Sequence, residues 1–394
     1  MARCAVSNID IVCNELFNRH KNEIGLYAEN ISQFVQAVFE LMPNLESINC
    51  NSSNNSEIGQ LLCGSLAAAY YRSIKKIISC GTLFIPEIPE FKNITYLDIN
   101  LENTDSIQKA KFSSETLKYL RMYNVPPKFS WTIFTPKNKS LEIKFSNLTT
   151  LKIAYNSYYK SKSPSAANTK LVDCPRLYFP KLKVLDIMYH EDYQPSINCE
   201  LFSDKLHTLR VSCTTNALCL VDNENLFQID NLSLTVIANN DDEQEINFSA
   251  INRIIMKAKN VNYAVIDVHN QEVLRQINNA NNLPITGLNI SHSVDADTII
   301  YTVKHLQNLS NLFLNNLIIT KEQAHSYTSA FSMYEPDNLV PLNKNLKKLN
   351  LVCRNPEFTS ADFTIFVGHL LPRLPSLVDL QVKTLFSGTV IKFL

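Results

Sequence analysis

A short apolar pattern recurs along most of the chain and constrains its fold more than any other feature. Segments of the form φ-x-x-φ-x-φ, where φ is apolar, occur thirteen times at intervals of 20 to 37 residues. We call each segment a hexad and number its positions 1 to 6. The twelve steps average about 28 residues, a period typical of proteins built from stacked repeats. Hexads begin at Leu45, Ile74, Ile94, Leu117, Leu148, Leu182, Leu206, Ile229, Val261, Ile285, Leu309, Leu346 and Leu377.

Each hexad predicts a short strand with positions 1, 4 and 6 facing the core and positions 3 and 5 facing outward. Helical spacing between strands is evident near the N-terminus, over 31–42 and 58–78. From 80 to 230 it fades, and we expect loops, extended segments or short 3₁₀ turns, with a protruding polar loop over 154–178. After 245 helices are expected again, and Thr320 with Gln323 resembles a capping box. The later helices are predicted at 248–259, 271–280, 295–307, 321–333 and 360–372.

The composition excludes several functional classes. Lys+Arg and Asp+Glu both total 37, so a general attraction to nucleic acid or anionic lipid is not expected. No signal peptide or membrane span is predicted, and the ten cysteines lack metal-ligand spacing. A reduced cytoplasmic or nuclear protein is therefore expected. The glycosylation triplets at Asn93, Asn147 and Asn231 are attributed to chance in an Asn-rich chain.

No catalytic or metal motif stands out from the background. The eight histidines form no metal-binding or catalytic pair at a recognisable spacing. The acidic run Asp241-Asp242-Glu243 is interpreted as a loop, and the lysines around 137–183 as a solvated basic segment. The sequence therefore predicts a protein that is not an enzyme, with no cofactor and no metal, and nucleic acid is not expected as a partner.

Phrases that lead into the hexads resemble a known family. Met42-Pro43-Asn44-Leu45, Phe179-Pro180-Lys181-Leu182 and Leu374-Pro375-Ser376-Leu377 are similar to phrases of leucine-rich repeat proteins, notably fungal F-box/LRR proteins. The resemblance implies an α/β fold: a curved leucine-rich repeat solenoid, or horseshoe, with a parallel inner sheet and helical returns mainly at the two ends. It implies one solenoid domain over 31–394, with 1–30 as an N-terminal flank.

The chain departs from that family in two respects. The usual Asn or Cys three residues after position 6 is present at Asn156 and is replaced elsewhere by residues such as His190 and Ser293. Irregular repeats are therefore expected. No F-box pattern occurs in the first 40 residues. A cullin–RING ligase component as partner, and ubiquitin-ligase substrate recognition as a role, are implied by the resemblance alone.

The outward positions give the candidate site. Exposed tyrosine, arginine and phenylalanine are common among the residues that dominate binding energy at protein interfaces. We therefore expect non-catalytic protein recognition by the concave face, with an acidic and partly apolar partner segment. Two alternatives stay open: a leucine-rich repeat regulator of a small GTPase or nuclease, and a scaffold unrelated to ubiquitination. The expected partner-binding residues are Tyr96, Asp98, Tyr119, Arg121, Lys152, Arg210, Tyr263 and Phe313.

Overall fold

The chain has an α/β fold in which most strands are parallel. Contacts group it into two compact units, Met1–His207 (unit 1) and Thr208–Leu394 (unit 2), and each is described by itself. A single domain over 31–394 stays a prediction. The computed structural model describes residues 8–11, 24–50, 57–82, 90–101, 110–126, 129, 131–134, 142–155, 176–188, 199–200, 204–214, 229–237, 263–268, 274–275, 277–278, 285–320, 322–323, 326, 340–353, 360–384 and 390–393.

Unit 1 contains ten strands, two α-helices and a 3₁₀ helix among its described residues. The strands are β1 (Asn8–Ile11), β2 (Ser47–Cys50), β3 (Lys76–Thr82), β4 (Tyr96–Asn100), β5 (Tyr119–Val125), β6 (Glu142–Lys144), β7 (Thr150–Tyr155), β8 (Arg176–Tyr178), β9 (Val184–Met188) and β10 (Cys199–Glu200). The helices are α1 (Ile24–Leu41), α2 (Glu57–Ala69) and the 3₁₀ helix Trp131–Phe134. The strands of the hexads form a parallel sheet, preceded by β1, in the order β1-β2-β3-β4-β5-β7-β9, while β10-β8-β6 form a small parallel sheet of their own.

Unit 2 repeats the parallel arrangement. Its strands are β11 (Thr208–Thr214), β12 (Asn231–Ile237), β13 (Tyr263–Val268), β14 (Gly287–Asp295), β15 (Asn311–Ile318), β16 (Lys348–Cys353), β17 (Asp379–Thr384) and β18 (Val390–Phe393). All neighbouring pairs from β11 to β17 are parallel, and β18 pairs antiparallel with β17. The helices are α3 (Ala296–His305), α4 (Ser360–Leu370) and the 3₁₀ helix Leu371–Arg373.

Several predicted returns have the expected form. Helices α1, α3 and α4 lie where helical spacing predicts them, whereas α2 ends at Ala69 and β3 occupies the end of the predicted segment 58–78. The capping box is also confirmed: the Thr320 hydroxyl accepts a 3.2 Å bond from the Gln323 N–H, and the Gln323 side chain accepts a 3.1 Å bond from the Thr320 N–H. Residues 248–259 and 156–175 lie outside the described residues, so the helix and most of the loop predicted there do too.

The hexads pair position by position across the sheet. Position 3 of one hexad lies opposite position 3 of the next, as in Tyr96 opposite Tyr119 and Tyr119 opposite Thr150. The hexad at Val261 is the exception, because Val265 at its position 5 lies opposite Gly287 at position 3 of the next hexad. An offset of two residues leaves every side chain on its expected face, since the side-chain period of a strand is two.

A backbone ladder fixes this register at the start of most hexad strands. The N–H groups of hexad positions 2 and 3 both donate to the position 2 carbonyl of the preceding hexad. Thr95 and Tyr96 donate in this way to Lys75 at 2.8 and 3.1 Å, and the geometry recurs at seven further steps. Positions 1, 4 and 6 are buried in most of the described hexads, as predicted: Leu182, Leu185 and Ile187 are at most 2% exposed, whereas Leu377 is only partly buried.

Asparagines immediately before the hexads contribute a second ladder. The Asn93 side chain donates to the Arg72 carbonyl at 2.6 Å, Asn147 to the Glu115 carbonyl at 2.7 Å and Asn345 to the Gln307 carbonyl at 2.8 Å. Each acceptor carbonyl lies two residues before the preceding hexad. These bonds satisfy carbonyl groups in the turn before the preceding strand. In the leucine-rich repeat pattern, by contrast, the usual asparagine comes after the strand. The amides of Asn93 and Asn147 thus have a structural role.

A chain of phenylalanine rings fills the middle of unit 1. Phe91 stacks on Phe112 with centroids 5.0 Å apart, and Phe145 stacks on Phe179 at the same distance. Phe134 joins the two pairs, 6.1 Å from Phe112 and 5.5 Å from Phe145. All five rings are at most 1% exposed. Since the described returns between β3 and β9 contain no α-helix, this phenylalanine spine supplies the core that helices provide elsewhere.

Asp295 should make unit 2 sensitive to acid. Its carboxylate caps α3, accepting a 2.9 Å bond from the Thr298 N–H and a 2.7 Å bond from the Thr298 hydroxyl. Burial alone would raise the pKa of Asp295, but the hydrogen bonds from Thr298, together with those from the backbone of Asp295 and Asp297, hold the pKa below its ordinary value of 3.8. A carboxylate with a lowered folded-state pKa stabilises the fold above the unfolded-state pKa, and this contribution is lost as the pH falls through the folded-state pKa.

The test compares the wild-type protein with Asp295→Asn, which keeps an oxygen acceptor for the cap but cannot ionise. The variant should be less stable at pH 7 by about 0.5–1 kcal/mol, the range of a charge at a helix N-terminus. The difference should shrink as the pH falls below the ordinary aspartate pKa of 3.8 and disappear once the folded-state carboxyl is protonated, because both side chains are then uncharged. Urea denaturation at a series of pH values measures it, and a difference that persists at the lowest pH would rule out this titration.

Candidate functional site

The outward positions of unit 1 form two rows across neighbouring strands. Row 3 contains Ser47, Lys76, Tyr96, Tyr119, Thr150 and Val184, and row 5 contains Asn49, Ile78, Asp98, Arg121, Lys152 and Asp186. Adjacent members of a row are direct register partners, so their side chains are neighbours. We call Tyr96, Asp98, Tyr119, Arg121 and Lys152 the tyrosine–arginine patch. All five are predicted site residues, and the sheet brings them together.

Two tyrosines form the centre of row 3. The rings of Tyr96 and Tyr119 are 4.1 Å apart and inclined by only 1°, so they stack face to face. The Lys76 ammonium lies 4.9 Å from the centroid of Tyr96, within reach of a cation–π contact. Burial, followed by the hydrogen bond with Tyr96, raises the pKa of Tyr119 well above its ordinary value of 10.0. Its phenol therefore stays protonated, and the pair presents a fixed surface with both apolar and hydrogen-bonding character.

Asp98 and Arg121 form the first ion pair of row 5. The Arg121 Nη1 lies 3.6 Å from Asp98 Oδ2, and the arginine side chain is 51% exposed. Asp98 is only 6% exposed, and its Oδ1 is buried without a hydrogen-bond partner. Burial raises the pKa of Asp98, and the nearby Arg121 opposes that rise. From the sequence we expect Asp98 to be a contact residue, but its burial makes it mainly a counter-ion for Arg121.

Lys152 and Asp186 form the second ion pair of row 5, with 3.9 Å between Lys152 Nζ and Asp186 Oδ2. Row 5 therefore reads acid, cation, cation, acid over four adjacent strands. Both cations of the patch have an acidic neighbour on the side away from the other cation. The net positive charge that an acidic partner segment would require is consequently small in row 5.

The three remaining predicted residues belong to unit 2. Arg210 is exposed on β11, and Phe313 on β15 is 36% exposed. Tyr263 lies in β13, but its side chain is outside the described residues. The acidic run 241–243 and His190 also lie outside them, as does most of the basic segment around 137–183.

Two neighbours of the tyrosine–arginine patch are not among the residues predicted from the sequence. Lys76 contacts the ring of Tyr96, and the Arg121 guanidinium carbon lies 5.5 Å from the centroid of Tyr123. Lys76 occupies position 3 of the weaker hexad at Ile74, so extending the outward rows to that hexad would have identified it. Tyr123 lies two residues beyond position 5 on the same strand, where the period of two places it on the same face.

The described residues show neither a metal-binding cluster nor a membrane-spanning helix. No group of three or more His, Cys, Asp or Glu side chains suited to a metal ion is found in that part of the chain. Among the same residues, no helix has the length and apolar character needed to cross a membrane.

Comparison with protein-family models found no matching family, and comparison with curated proteins found no similar sequence.

Proposed function

We propose that this chain is a leucine-rich repeat solenoid, curved as a horseshoe, that recognises a protein partner through the concave face of its inner sheet and catalyses no reaction. In unit 1 the tyrosine–arginine patch is the contact surface. By resemblance, the chain acts as a substrate receptor of the F-box/LRR kind, in the cytoplasm or the nucleus. Components of a cullin–RING ligase are the partners that this resemblance implies.

The observation that carries the proposal is the stacked pair Tyr96–Tyr119 beside an exposed arginine. Tyrosine and arginine are enriched among the residues that dominate binding energy. Here the strands hold them in fixed register, and each tyrosine restricts the other. Little conformational entropy is therefore lost when a partner binds, so more of the contact energy contributes to affinity.

The ion pairs of row 5 indicate the chemistry of the partner surface. Because Arg121 and Lys152 each have an acidic neighbour, an acidic partner gains less from them than from two isolated cations. The patch instead offers aromatic faces and hydrogen-bond donors. We therefore expect the partner to bury an apolar segment with hydrogen-bond acceptors, with an affinity that depends weakly on salt.

Once a partner has been identified, removal of one ring of the Tyr96–Tyr119 pair tests the proposal. Tyr119→Ala should weaken binding by about 1–2 kcal/mol or more, the range of a central interface residue. Arg121→Gln combined with Asp98→Asn should also weaken binding, and this double change removes the cation without leaving a buried carboxylate unpaired. Isothermal titration calorimetry measures both effects.

The matched control is Tyr178→Ala, which removes an exposed tyrosine from β8 in the small sheet of unit 1. It should leave the affinity unchanged. An affinity that is the same in the wild-type protein and in both patch variants would exclude the patch as the contact surface.

A further inference from the structure

The outer edge of β1 is a free strand edge in the described part of the chain. Among the described strands β1 pairs only with β2, in the register of the hexads, so Ile9 occupies the place of hexad position 4 opposite Ile48. Every other position 4 whose side chain is described is at most 3% exposed, whereas Ile9 is only partly buried. Ile9 therefore lacks, among the described residues, the second neighbouring strand that covers the hexads.

Helix α1 carries apolar side chains on two opposite flanks. Phe39 lies on one flank, where its ring centroid is 5.2 Å from that of Tyr70, the residue immediately after α2. Phe34 and Leu41 lie about 140° and 160° away around the helix, on the flank that faces away from α2. They are 45% and 54% exposed. Because α1 leads from β1 to β2 and α2 leads from β2 to β3, this flank is on the β1 side of unit 1.

The exposed flank of α1 is an uncharged row with the spacing of a helix–helix contact. Asn30, Phe34, Ala37 and Leu41 follow one another at intervals of four, three and four residues, and all four are exposed. That spacing is the one at which packed helices place their contact residues. We call this row together with the outer edge of β1 the end surface. A strand edge beside a helix flank is the combination that each strand–helix repeat presents to the next one.

The occupant that fits the end surface supplies both a strand and an apolar helix. The unpaired N–H and C=O groups of β1 accept a strand, and the row on α1 accepts a helix. The end surface of a second copy supplies both. A two-fold axis normal to the sheet reverses strand and helix together, so it places β1 antiparallel to β1 and α1 antiparallel to α1. The row carries no charge, so two copies do not repel each other there.

The side chains of β1 select one register for this pairing. With Ile9 on the two-fold axis, the two Ile9 residues meet, and the exposed Asn8 lies beside the exposed Asp10 of the second copy. The asparagine amide can donate to that carboxylate. With Asp10 on the axis, two carboxylates would lie directly opposite each other, which is unfavourable. A shift by one residue would place inward side chains opposite outward ones.

We propose that two copies of this chain associate through their end surfaces as a two-fold dimer. The two β1 strands join the sheets, and the α1 rows pack against each other. In an antiparallel contact centred on the row, the ring of Phe34 lies beside the small Ala37 of the second copy. The tyrosine–arginine patch lies on β4, β5 and β7, outside the end surface, so the dimer carries two copies of it and does not depend on what it binds.

Sedimentation velocity of the full chain at increasing concentration tests the dimer. The mass should rise toward twice the 44.8 kDa of one chain. Phe34→Glu should raise the dissociation constant about tenfold or more, because it places a charge in the apolar row of both copies. The matched control is Val378→Glu, which adds the same charge at an apolar residue of unit 2 that is 68% exposed. It should associate as the wild type does.

Substitutions of opposite charge at Asn8 test the register. Asn8→Asp should weaken the dimer about three- to tenfold, because a carboxylate then lies beside Asp10 at two symmetric places. Asn8→Lys should retain or tighten the dimer, because the new cation lies beside the same carboxylate. Asn8 is exposed in the single chain, so neither change should disturb the fold.

A mass that stays at that of one chain at every concentration would overturn the proposal, and the end surface would then belong to a different protein or to another part of this chain. A dimer that Phe34→Glu and Leu41→Glu together leave unchanged would also overturn it. Equal effects of Asn8→Asp and Asn8→Lys would exclude the pairing through β1. Circular dichroism establishes that each variant is folded. If Phe34→Glu is not, the two Asn8 variants decide.

Discussion

Replacement of Phe145 by alanine should lower the free energy of unfolding of unit 1 by about 3–5 kcal/mol. Phe145 is fully buried, and its ring lies 5.0 Å from Phe179, 5.5 Å from Phe134 and 6.3 Å from Trp131. Truncation removes contacts with three rings at once. The neighbours are held by the sheet and by the small sheet β10-β8-β6, so they cannot collapse fully into the space, and a cavity remains.

The phenylalanine spine provides its own reporter. Trp131, the single tryptophan of the chain, lies in contact range of Phe145, so tryptophan fluorescence during urea denaturation follows this part of unit 1. Leu185→Ala, at a hexad position in the same unit, should cost about 2–5 kcal/mol. The exposed control Tyr178→Ala should change stability by no more than about 0.5 kcal/mol. If Phe145→Ala unfolds at the same urea concentration as the control, the rings do not form a common core.

Replacement of Asn343 by leucine should destabilise unit 2 by about 2–4 kcal/mol, although leucine has a similar size. Asn343 is fully buried three residues before the hexad at Leu346. Its Nδ2 donates to the carbonyls of Val303 and Leu306, at 3.1 and 2.9 Å, at the end of α3. Its Oδ1 accepts from the N–H groups of Asn345 and Leu346, at 2.7 and 3.0 Å. A leucine would satisfy none of these four backbone groups.

Hydrogen exchange followed by mass spectrometry measures this effect locally. In Asn343→Leu, the amides of α3 and of the turn before β16 should exchange faster than in the wild-type protein, because both depend on the same side chain. The matched control is Asn345→Ala, which removes a single exposed bond to the Gln307 carbonyl and should cost about 1 kcal/mol or less. Unchanged exchange in α3 of the leucine variant would show that the Asn343 bonds do not stabilise the helix end.

The hexads predicted the strands because the signal is local and repeated. Apolar positions 1, 4 and 6 became buried residues such as Leu185 and Ile187, and the outward positions formed rows in register. The helix over 295–307 and the capping box at Thr320 are also predictable from the sequence, since both depend on residues three or four apart. These features need no knowledge of which segments meet in space.

The features that the sequence does not predict depend on contacts between segments far apart in the chain. Alternation places Asp98 on the outward face, but its burial depends on neighbours from β3 and β5, which lie about 20 residues away on each side. The phenylalanine spine could be anticipated only in part, because Phe91, Phe145 and Phe179 each lie three residues before a hexad, whereas Phe112 and Phe134 follow no such rule. The buried Asn343 occupies the same place before its hexad as these phenylalanines, where apolar spacing predicts a hydrophobic residue.

Photo-crosslinking from the patch tests most directly whether this face of unit 1 recognises a protein. A photoreactive phenylalanine derivative replaces Tyr119 in one version of the full chain and the exposed Tyr178 in another. Both are irradiated in the cells that produce the protein, and the crosslinked products are identified by mass spectrometry. A protein should be captured from position 119 and not from position 178, and its capture should fall when Arg121→Gln and Asp98→Asn are added. The same products from both positions, or none from position 119, would contradict that expectation.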